Sequence, residues 1–207
     1  MKTRIFNLII LDESGSMSSI EKQAITGVNE TVQTIRNAQK RHEDQEHFIS
    51  LVSFNSDDVK SIYDCMEAEK VKELTDRQYV PNSSTPLYDA MGLSLSQLRK
   101  KVADEDKVLV TIITDGYENA SREYDAKAIK ALVDTLKQKG WVFTYIGANQ
   151  NVEEVAATIS VTNTMCFHAN VEGTRQMFAK ESKSRSHWFD RVASNCSDLS
   201  ENFFEEE

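Results

Sequence analysis

The stretch IFNLIILDESGSMSS, residues 5–19, joins a run of apolar side chains to a turn rich in acidic and hydroxyl groups. Its first part, Ile5 to Leu11, is almost entirely apolar, which is typical of a strand covered on both faces in a parallel sheet. No basic residue balances Asp12 and Glu13 in the turn. The stretch therefore predicts a buried strand that ends directly in a polar, negatively charged loop.

Segments typical of helices and strands alternate along the rest of the chain. Apolar residues recur at helical spacing from about residue 19 to residue 40, and Ser18 with Glu21 matches the capping box that begins many helices. The patterns that follow predict, in chain order, a hairpin of strands at 47–55 and 59–65, a short helix at 71–74, a helix at 87–98, a strand at 107–116, a helix ending at Gly140, a strand at 141–149, a short helix at 152–158, a strand at 165–168 and a helix ending near Ala193.

This alternation predicts the fold class. Strands that alternate with helices specify an α/β fold, a doubly wound three-layer sandwich of the Rossmann-like type in which helices cover both faces of a mostly parallel sheet. The hairpin makes its second strand, 59–65, antiparallel, and we place that strand at the sheet edge. The 207 residues suit one large domain, which we assign to residues 1–195.

The last residues, 196–207, form an acidic segment that we expect to be a mobile tail. Phe203 and Phe204, flanked by glutamates, could offer an apolar anchor and a carboxylate to a site on a neighbouring molecule. A solvated, disordered end is favoured, because charged termini are usually mobile.

A formal net charge of −9 limits the partners of the chain. Nucleic-acid backbones and anionic membrane surfaces would both repel it. Residues 180–189 mix basic and aromatic side chains and could contact nucleic acid, but the net charge favours a solvated helix face. We therefore expect no nucleic acid and no membrane among the partners.

The cysteines and the N-terminal sequence bear on location. Cys65, Cys166 and Cys196 are odd in number, widely spaced and without a CxxC pair, which indicates neither a disulfide framework nor a cysteine zinc site. The N-terminal MKTRIFNLIIL is similar to a signal peptide, but its apolar run is short and no small-x-small cleavage site follows. No segment approaches the ~20 apolar residues that span a bilayer. We expect a cytoplasmic protein with reduced thiols.

Two aspartates follow predicted parallel strands. Asp12 comes directly after the first strand, and Asp115 comes at the corresponding end of VLVTIITDG, residues 108–116. In open α/β sheets the ligand crevice lies at the carboxyl ends of the strands, where the strand order changes direction. If the two strands are neighbours, both carboxylates point into that crevice.

Three separated motifs extend this pair into a pattern. Asp12-x-Ser14-x-Ser16, with Thr85 in STPLYDAM and Asp115 in TDG, resembles the metal-ion-dependent adhesion site of the von Willebrand factor A domain family. The resemblance implies a central sheet flanked by helices, a bound Mg²⁺ or a similar cation such as Mn²⁺ or Ca²⁺, and recognition of protein partners. Among family members, the chain looks like the stand-alone intracellular type.

The resemblance also implies a role for each ligand. Ser14 and Ser16 would contact the metal through their hydroxyls, and Thr85 would join them in one state. Asp12 and Asp115 would hold the metal mainly through water. The chemistry agrees, because hydroxyl and carboxylate oxygens suit a hard cation and Mg²⁺ keeps several of its waters.

The charge balance of this set favours a binding module over an enzyme. Two carboxylates offset a divalent charge while neutral hydroxyls leave the ion electrophilic, so an Asp or Glu of a partner could complete its shell. The resemblance covers about residues 5–190, and relatives in bacteria often work beside ATPases of the AAA+ type. We expect a metal-dependent protein-binding domain whose partner offers a carboxylate, with an AAA+ ATPase as one candidate.

Structural and enzymatic alternatives stay open at this point. Thr85 before Pro86 is also a good helix cap, and the two serines could belong to an ordinary turn. A metal-dependent hydrolase or phosphatase would use Asp12 and Asp115. An enzyme that forms an aspartyl phosphate also needs an acid two residues after the first aspartate as proton donor, and this chain has Ser14 there. The motifs GxSxG, HExxH, GxxxxGK and GxGxxG are absent from the sequence.

The sequence departs from the family's pattern just before the threonine. Many members carry Gly-Gly there, whereas this chain has residues 82–84 as Asn-Ser-Ser. This predicts a less flexible backbone, which argues against the shift between low- and high-affinity forms known in adhesive relatives. Four nearby polar residues are expected only to support the ligands: Glu13, Asp89, Glu118 and Asn119.

Overall fold

Six strands form one sheet in the computed structural model, which describes residues 2–148, 151–196, 198–200 and 202–204. The strands are β1 (Thr3–Asp12), β2 (Gln45–Phe54), β3 (Val59–Glu67), β4 (Lys107–Thr114), β5 (Val142–Ala148) and β6 (Asn163–Phe167). The α-helices are α1 (Glu21–Arg41), α2 (Leu87–Leu98), α3 (Ala126–Lys137), α4 (Val152–Thr158) and α5 (Val171–Ala193). Short 3-10 helices lie at Gly15–Ile20 and Ala68–Lys70.

The strand order in the sheet is β3-β2-β1-β4-β5-β6. Neighbouring strands are parallel except for β2 and β3, which pair antiparallel at one edge. The chain builds one half of the sheet outward from β1 and the other half outward from β4, so the strand order changes direction between these two strands. This confirms the predicted α/β sandwich with one antiparallel edge strand.

The sheet separates two apolar cores, and β1 contributes to both. Ile9 and Leu11 pack with side chains of α1 and α5, whereas Leu8 and Ile10 pack with side chains of α2, α3 and α4. Successive side chains of a strand point to opposite faces, so a strand covered on both sides must be apolar throughout. This geometry explains the uninterrupted apolar run at the start of the sequence.

The turn after β1 differs from its prediction. Residues 15–20 form a 3-10 helix in which Ser18 Oγ donates to the Gly15 carbonyl at 2.7 Å, and α1 begins at Glu21 without a side-chain cap. The predicted capping box of Ser18 and Glu21 is therefore wrong. A long-range bond holds this turn, because Gly15 N donates to the Ser83 carbonyl at 3.0 Å.

The segment after β3 also differs, since it contains a 3-10 helix at Ala68–Lys70 and no helix at 71–74. Side chains of α1 replace the missing helical hydrogen bonds. Asn29 accepts from Leu74 N at 2.8 Å and donates to the Leu74 carbonyl at 3.0 Å, while Arg36 donates to the carbonyls of Ala68 and Val71. Buried polar backbone groups need partners, and here they find them on a neighbouring helix.

Residues 180–189 lie in α5, and only part of them faces solvent. Lys183 and His187 are exposed, whereas Arg185 and Glu181 are fully buried. Arg185 donates to Glu181 Oε1 at 2.7 Å and to Thr111 Oγ1 of β4 at 2.7 Å. The stretch is therefore only partly the solvated face that the sequence predicts, since its exposed residues alternate with buried ones. The buried charge of Arg185 is tolerated because a partner of opposite charge and further hydrogen bonds accompany it.

The described part of the C-terminal segment packs on the domain, in contrast to the expected mobile tail. Trp188 Nε1 donates to the Leu199 carbonyl at 3.0 Å, and Asn163 Nδ2 donates to the Ser200 carbonyl at 2.8 Å. Phe203 is 4% exposed and belongs to the core on the α1 and α5 side. Phe203 thus packs within its own chain, which argues against both the favoured disordered end and the alternative in which Phe203 anchors on a neighbouring molecule. Residues 197, 201 and 205–207 lie outside the described residues.

Helix length and cysteine state bear on the predicted class. No helix in the described part of the chain is long and apolar enough to cross a membrane. Cys65, Cys166 and Cys196 are free thiols.

Candidate metal centre

The two aspartates meet at the carboxyl edge of the sheet. Asp12 is the last residue of β1, and Asp115 follows the last residue of β4. The two strands are parallel neighbours in which Leu11 pairs with Ile113. The aspartates therefore lie side by side where the strand order changes direction, the usual position of a ligand crevice in such sheets.

The Asp12 carboxylate is fixed by hydrogen bonds from both sides. Oδ1 accepts from Ser14 N at 2.7 Å, and Oδ2 accepts from Thr114 Oγ1 at 2.5 Å. Burial raises the pKa of Asp12 from 3.8 to about 6, although these hydrogen bonds oppose the shift; the nearby charge of Asp115 adds to it. The ionised form of Asp12 is thus held in surroundings that disfavour its charge.

The serines of the turn connect Asp12 to Asp115. The 3-10 turn places Ser14 Oγ and Ser16 Oγ 3.1 Å apart, and Ser16 Oγ donates to Asp115 Oδ1 at 2.5 Å. Burial raises the pKa of Asp115 as well, and the hydrogen bond from Ser16 opposes that rise. Four of the five predicted ligands therefore form one connected group.

Thr85 reaches the same place from the loop before α2. Thr85 Oγ1 lies 3.4 Å from the position that a Cβ atom on Gly116 would occupy, and Ser16 Oγ lies 3.6 Å from that position. Any side chain at Gly116 would therefore contact both hydroxyls. The predicted helix cap by Thr85 is wrong, because Pro86 is the N-cap residue of α2 and no side chain caps it. Thr85 thus faces the group formed by the serines and aspartates.

Glu13, between two of the predicted ligands, is buried and faces away from them. Glu13 Oε1 accepts from Lys60 Nζ at 2.8 Å and from Val80 N at 2.7 Å, and its backbone carbonyl accepts from Asn82 N at 2.9 Å. The role of Glu13 is to attach the β1 turn to β3 and to the loop before α2.

Two contacts of the site were missed in the sequence. Tyr79 is fully buried and donates to the Asp12 carbonyl at 2.6 Å, and Thr114 donates to the Asp12 carboxylate. The signal for Thr114 was present, since it precedes Asp115 on a strand that neighbours β1. Nothing local marked Tyr79, because its partner lies 67 positions earlier in the chain.

The donor set fits a hard divalent cation. Hydroxyl and carboxylate oxygens are the ligands that Mg²⁺, Mn²⁺ and Ca²⁺ favour. Burial penalises the negative charges of both aspartates and raises their pKa values, and a bound cation would offset that penalty. In the described residues, no cluster of three or more His, Cys, Asp or Glu side chains is suited to a metal. A site here would therefore depend on hydroxyl ligands, as the resemblance implies.

The sequence model of the von Willebrand factor type A domain family matches residues 8–184. The match extends from within β1 to within α5, and it includes all five predicted ligands. A search of curated proteins gave no match.

Solved structures with similar folds include proteins of bacterial pili. The chain is similar to the PilB minor pilin of Streptococcus sanguinis, with 13% identity, a TM-score of 0.58, and coverage of 90% of this chain and 62% of that one. For the pilus adhesin SpaC of Lactobacillus rhamnosus GG, the values are 14%, 0.65, 91% and 30%. For the vWF domain of the type V pili tip protein Mfa5 of Porphyromonas gingivalis, they are 9%, 0.54, 95% and 96%.

These similarities concern the fold, and two of the three cover only part of the other protein. Identities this low show the fold alone. The chain spans less than two thirds of the length of PilB and about a third of SpaC. It corresponds in length to the isolated domain of Mfa5.

Proposed function

The chain belongs to the von Willebrand factor type A domain family, and from this premise we propose that it is a protein-binding module that captures an acidic side chain of a partner through a divalent cation. One observation carries the proposal. Two carboxylates and three hydroxyls from three separate segments gather at the carboxyl edge of the sheet, where the strand order changes direction.

The proposed ligands divide into two kinds. Ser14, Ser16 and Thr85 would hold Mg²⁺, or Mn²⁺ or Ca²⁺, through neutral hydroxyls, and Asp12 and Asp115 would balance its charge. When bound, such a cation supplies an electrophilic centre that a carboxylate oxygen of a partner can reach. Ser16 already donates its proton to Asp115, which leaves lone pairs of its hydroxyl oxygen for a cation.

Exposed apolar side chains support a protein partner. In the described part of the chain, the large apolar side chains that are more than half exposed are Val80, Tyr117 and Val171. Val80 donates its N–H to Glu13 beside the site, Tyr117 follows Asp115 closely, and Val171 begins α5 just after β6. All three therefore lie at the carboxyl edge of the sheet. A protein partner that reaches the site would therefore also meet apolar side chains at this end of the domain.

Location and partner identity belong to the same proposal. Three free thiols favour a reducing compartment, so we propose that the protein works in the cytoplasm. An AAA+ ATPase that presents an Asp or Glu is the partner that we would test first. PilB, SpaC and Mfa5 are pilus proteins, and a surface location like theirs is the contrasting outcome of cell fractionation.

A metal-dependent hydrolase is less well supported. A nucleophilic carboxylate needs an accessible oxygen, but Asp12 is 0% exposed and both its oxygens accept hydrogen bonds, from Ser14 and Thr114. SpaC, which shares the fold, is an adhesin, and adhesion is a binding function. We therefore propose that the chain is not an enzyme.

Calorimetric titration with Mg²⁺ and Mn²⁺, combined with thermal unfolding, tests the proposed site. A ligand that binds only the folded state adds about 2.7 kcal/mol of stability at a hundredfold excess over its dissociation constant, so saturating cation should raise the melting temperature. Ser16→Ala removes one proposed ligand at an exposed position without changing charge. It should weaken cation binding while changing metal-free stability by at most about 1 kcal/mol.

Ser186→Ala provides the matched control, since it removes a hydroxyl on α5 far from the site. Cation binding should be the same in this variant and in the wild type. Equal responses of the wild type and Ser16→Ala across a millimolar titration would exclude the proposed site. Phosphatase activity with Mg²⁺ that is lost in Asp12→Asn would support the hydrolase instead.

A further inference from the structure

We infer that Asn119 and Glu118 are positioning residues that hold Thr85 at the candidate metal centre before any cation binds. The inference rests on the proposed function, because Thr85 is one of the proposed ligands. It concerns the loop between β4 and α3, which carries Asp115 at its start. Neither residue is itself among the proposed ligands.

Asn119 binds the backbone of Thr85 on both sides of the residue. Thr85 N donates to Asn119 Oδ1 at 2.9 Å, and Asn119 N donates to the Thr85 carbonyl at 3.1 Å. Thr85 is 3% exposed, so neither of its backbone groups could easily replace these partners with water. The reciprocal pair therefore fixes the orientation of Thr85 relative to the β4–α3 loop.

The Glu118 carboxylate extends this attachment to the first turn of α2. Glu118 Oε2 accepts from Tyr88 N at 3.0 Å, and Glu118 Oε1 accepts from Ala120 N and Ser121 N, each at 2.8 Å. Hydrogen bonds to an ionised acceptor are stronger than neutral ones, and a carboxylate at a helix N-terminus also interacts favourably with the helix dipole. Glu118 thus joins α2 to its own loop.

Asp89 repeats the attachment in the opposite direction. It lies in the first turn of α2, and its carboxylate accepts from the backbone N–H groups of Arg122, Glu123 and Tyr124 at 2.8, 2.9 and 2.8 Å. One carboxylate therefore extends from the loop to the helix and another from the helix to the loop. Movement of Thr85 relative to this loop would break several of these bonds together.

The consequence is that Thr85 and Asp115 belong to one rigid unit. Gly116 follows Asp115, and a Cβ atom on it would contact the hydroxyls of Thr85 and Ser16. The residues that follow Gly116 bind the backbone around Thr85. Ligands that are held in place before binding lose little freedom when a metal arrives, and groups that orient ligands strongly affect metal affinity. A Gly-Gly pair before the threonine would let this loop move, whereas in this chain these hydrogen bonds hold Thr85 in place.

Amide hydrogen exchange in the metal-free protein, followed by NMR, tests the attachment directly. Asn119→Leu removes the acceptor of Thr85 N, so the Thr85 amide should exchange about tenfold faster or more than in the wild type. Asn119→Asp keeps an acceptor oxygen and should keep the Thr85 amide protected. The matched control is Asn170→Leu, which removes the same kind of bond, from Gly173 N to Asn170 Oδ1 at 2.8 Å, at the start of α5.

Calorimetry with Mg²⁺ then tests the role in binding. Asn119→Leu should weaken Mg²⁺ affinity by about tenfold, the lower end of the range for groups that orient metal ligands, and Asn170→Leu should leave it unchanged. Thr85→Ala sets the upper limit of the effect. If Asn119 acts through Thr85, the double variant should bind Mg²⁺ no more weakly than Thr85→Ala alone.

The outcomes separate the inference from the function on which it rests. Unchanged Thr85 exchange in Asn119→Leu, or additive losses of affinity in the double variant, would overturn the positioning role. Absence of Mg²⁺ binding by the wild type would overturn the proposed function, and the metal-free exchange rates would still decide whether Asn119 holds Thr85.

Discussion

Two groups of buried carboxylates are stabilised in different ways. On the face of the sheet that α1 and α5 cover, Glu181 is paired with Arg185 at 2.6 Å, and both side chains are 0% exposed. At the carboxyl edge, Asp12 takes its hydrogen bonds from an amide and a hydroxyl, both of which are neutral. The chain therefore provides its own cation where the charge serves the structure, and neutral donors where we propose that a cation binds.

The difference has electrostatic consequences. Burial raises the pKa values of Asp12 and Asp115, so in the metal-free protein these two carboxylates destabilise the fold at neutral pH. The Arg185 charge affects a different neighbour, His47, whose pKa is lowered to about 3 by burial first and by this charge second. The two regions should therefore respond in opposite directions to pH, and only the edge should respond to metal.

Removal of Arg185 should have the largest effect. Arg185→Met leaves Glu181 buried without its counter-ion, which should lower the free energy of unfolding by about 3–5 kcal/mol, measured by urea denaturation. Adding Glu181→Leu should restore most of that loss, because the unpaired charge is then gone. Arg41→Met breaks an exposed pair with Asp190 and should cost at most about 1 kcal/mol. Equal effects of the two arginine variants would refute the proposed contrast.

Neutralising Asp12 should have the opposite sign. Its folded-state pKa of about 6 lies above the ordinary 3.8, so metal-free stability falls as pH rises from 3.8 through 6. At pH 7, Asp12→Asn should therefore stabilise the metal-free protein, by up to about 3 kcal/mol, and should also abolish stabilisation by Mg²⁺. Chemical denaturation with and without Mg²⁺ measures both effects.

The new side chain can keep the local hydrogen bonds. Its carbonyl oxygen can accept from Ser14 N, and its amide can donate to Thr114 Oγ1, which can turn its own proton to the Gly116 carbonyl 3.1 Å away. A metal-free variant that is less stable than the wild type at pH 7 would show that the edge carboxylate is not under electrostatic strain.

The smallest effect concerns His47. Its folded-state pKa of about 3 lies below the ordinary 6.5, so the unfolded chain takes up the proton first and stability falls as pH decreases from 6.5 towards 3. Between pH 6.5 and 5 the loss should be about 2 kcal/mol. His47→Gln should remove this loss, whereas His187→Gln on the exposed face of α5 should leave it in place. Denaturation curves at the two pH values decide between these outcomes.

Much of the fold could be predicted because local pattern and tertiary environment agree. The apolar run in β1 is required by helices on both faces, and the hairpin of β2 and β3 follows from its polar turn. Within the candidate site, the spacing of Ser14 and Ser16 on one turn brings their hydroxyls together. The placement of Asp12 beside Asp115 followed from the rule for the ends of parallel strands.

The remaining features depend on contacts between distant residues. The sequence predicts that Arg185 lies among exposed bases, because its partners Asn7 and Thr111 are 178 and 74 positions away and leave no local sign. Ser18 matched a cap by its spacing, but the turn is held by the Ser83 carbonyl. Such contacts leave no periodic signal in the sequence, so only the structure could identify them.

The segment from Ala68 to Ser83 has few hydrogen bonds of its own and is shaped by residues made earlier in the chain. Asn29 and Arg36 of α1 bind its first half, and Tyr79 in its second half binds the end of β1. The backbone of this segment is thus held in place by α1 and by the end of β1. Because the loop that brings Thr85 to the site continues directly from this segment, the position of Thr85 depends on the first strand and the first helix as well as on its own loop.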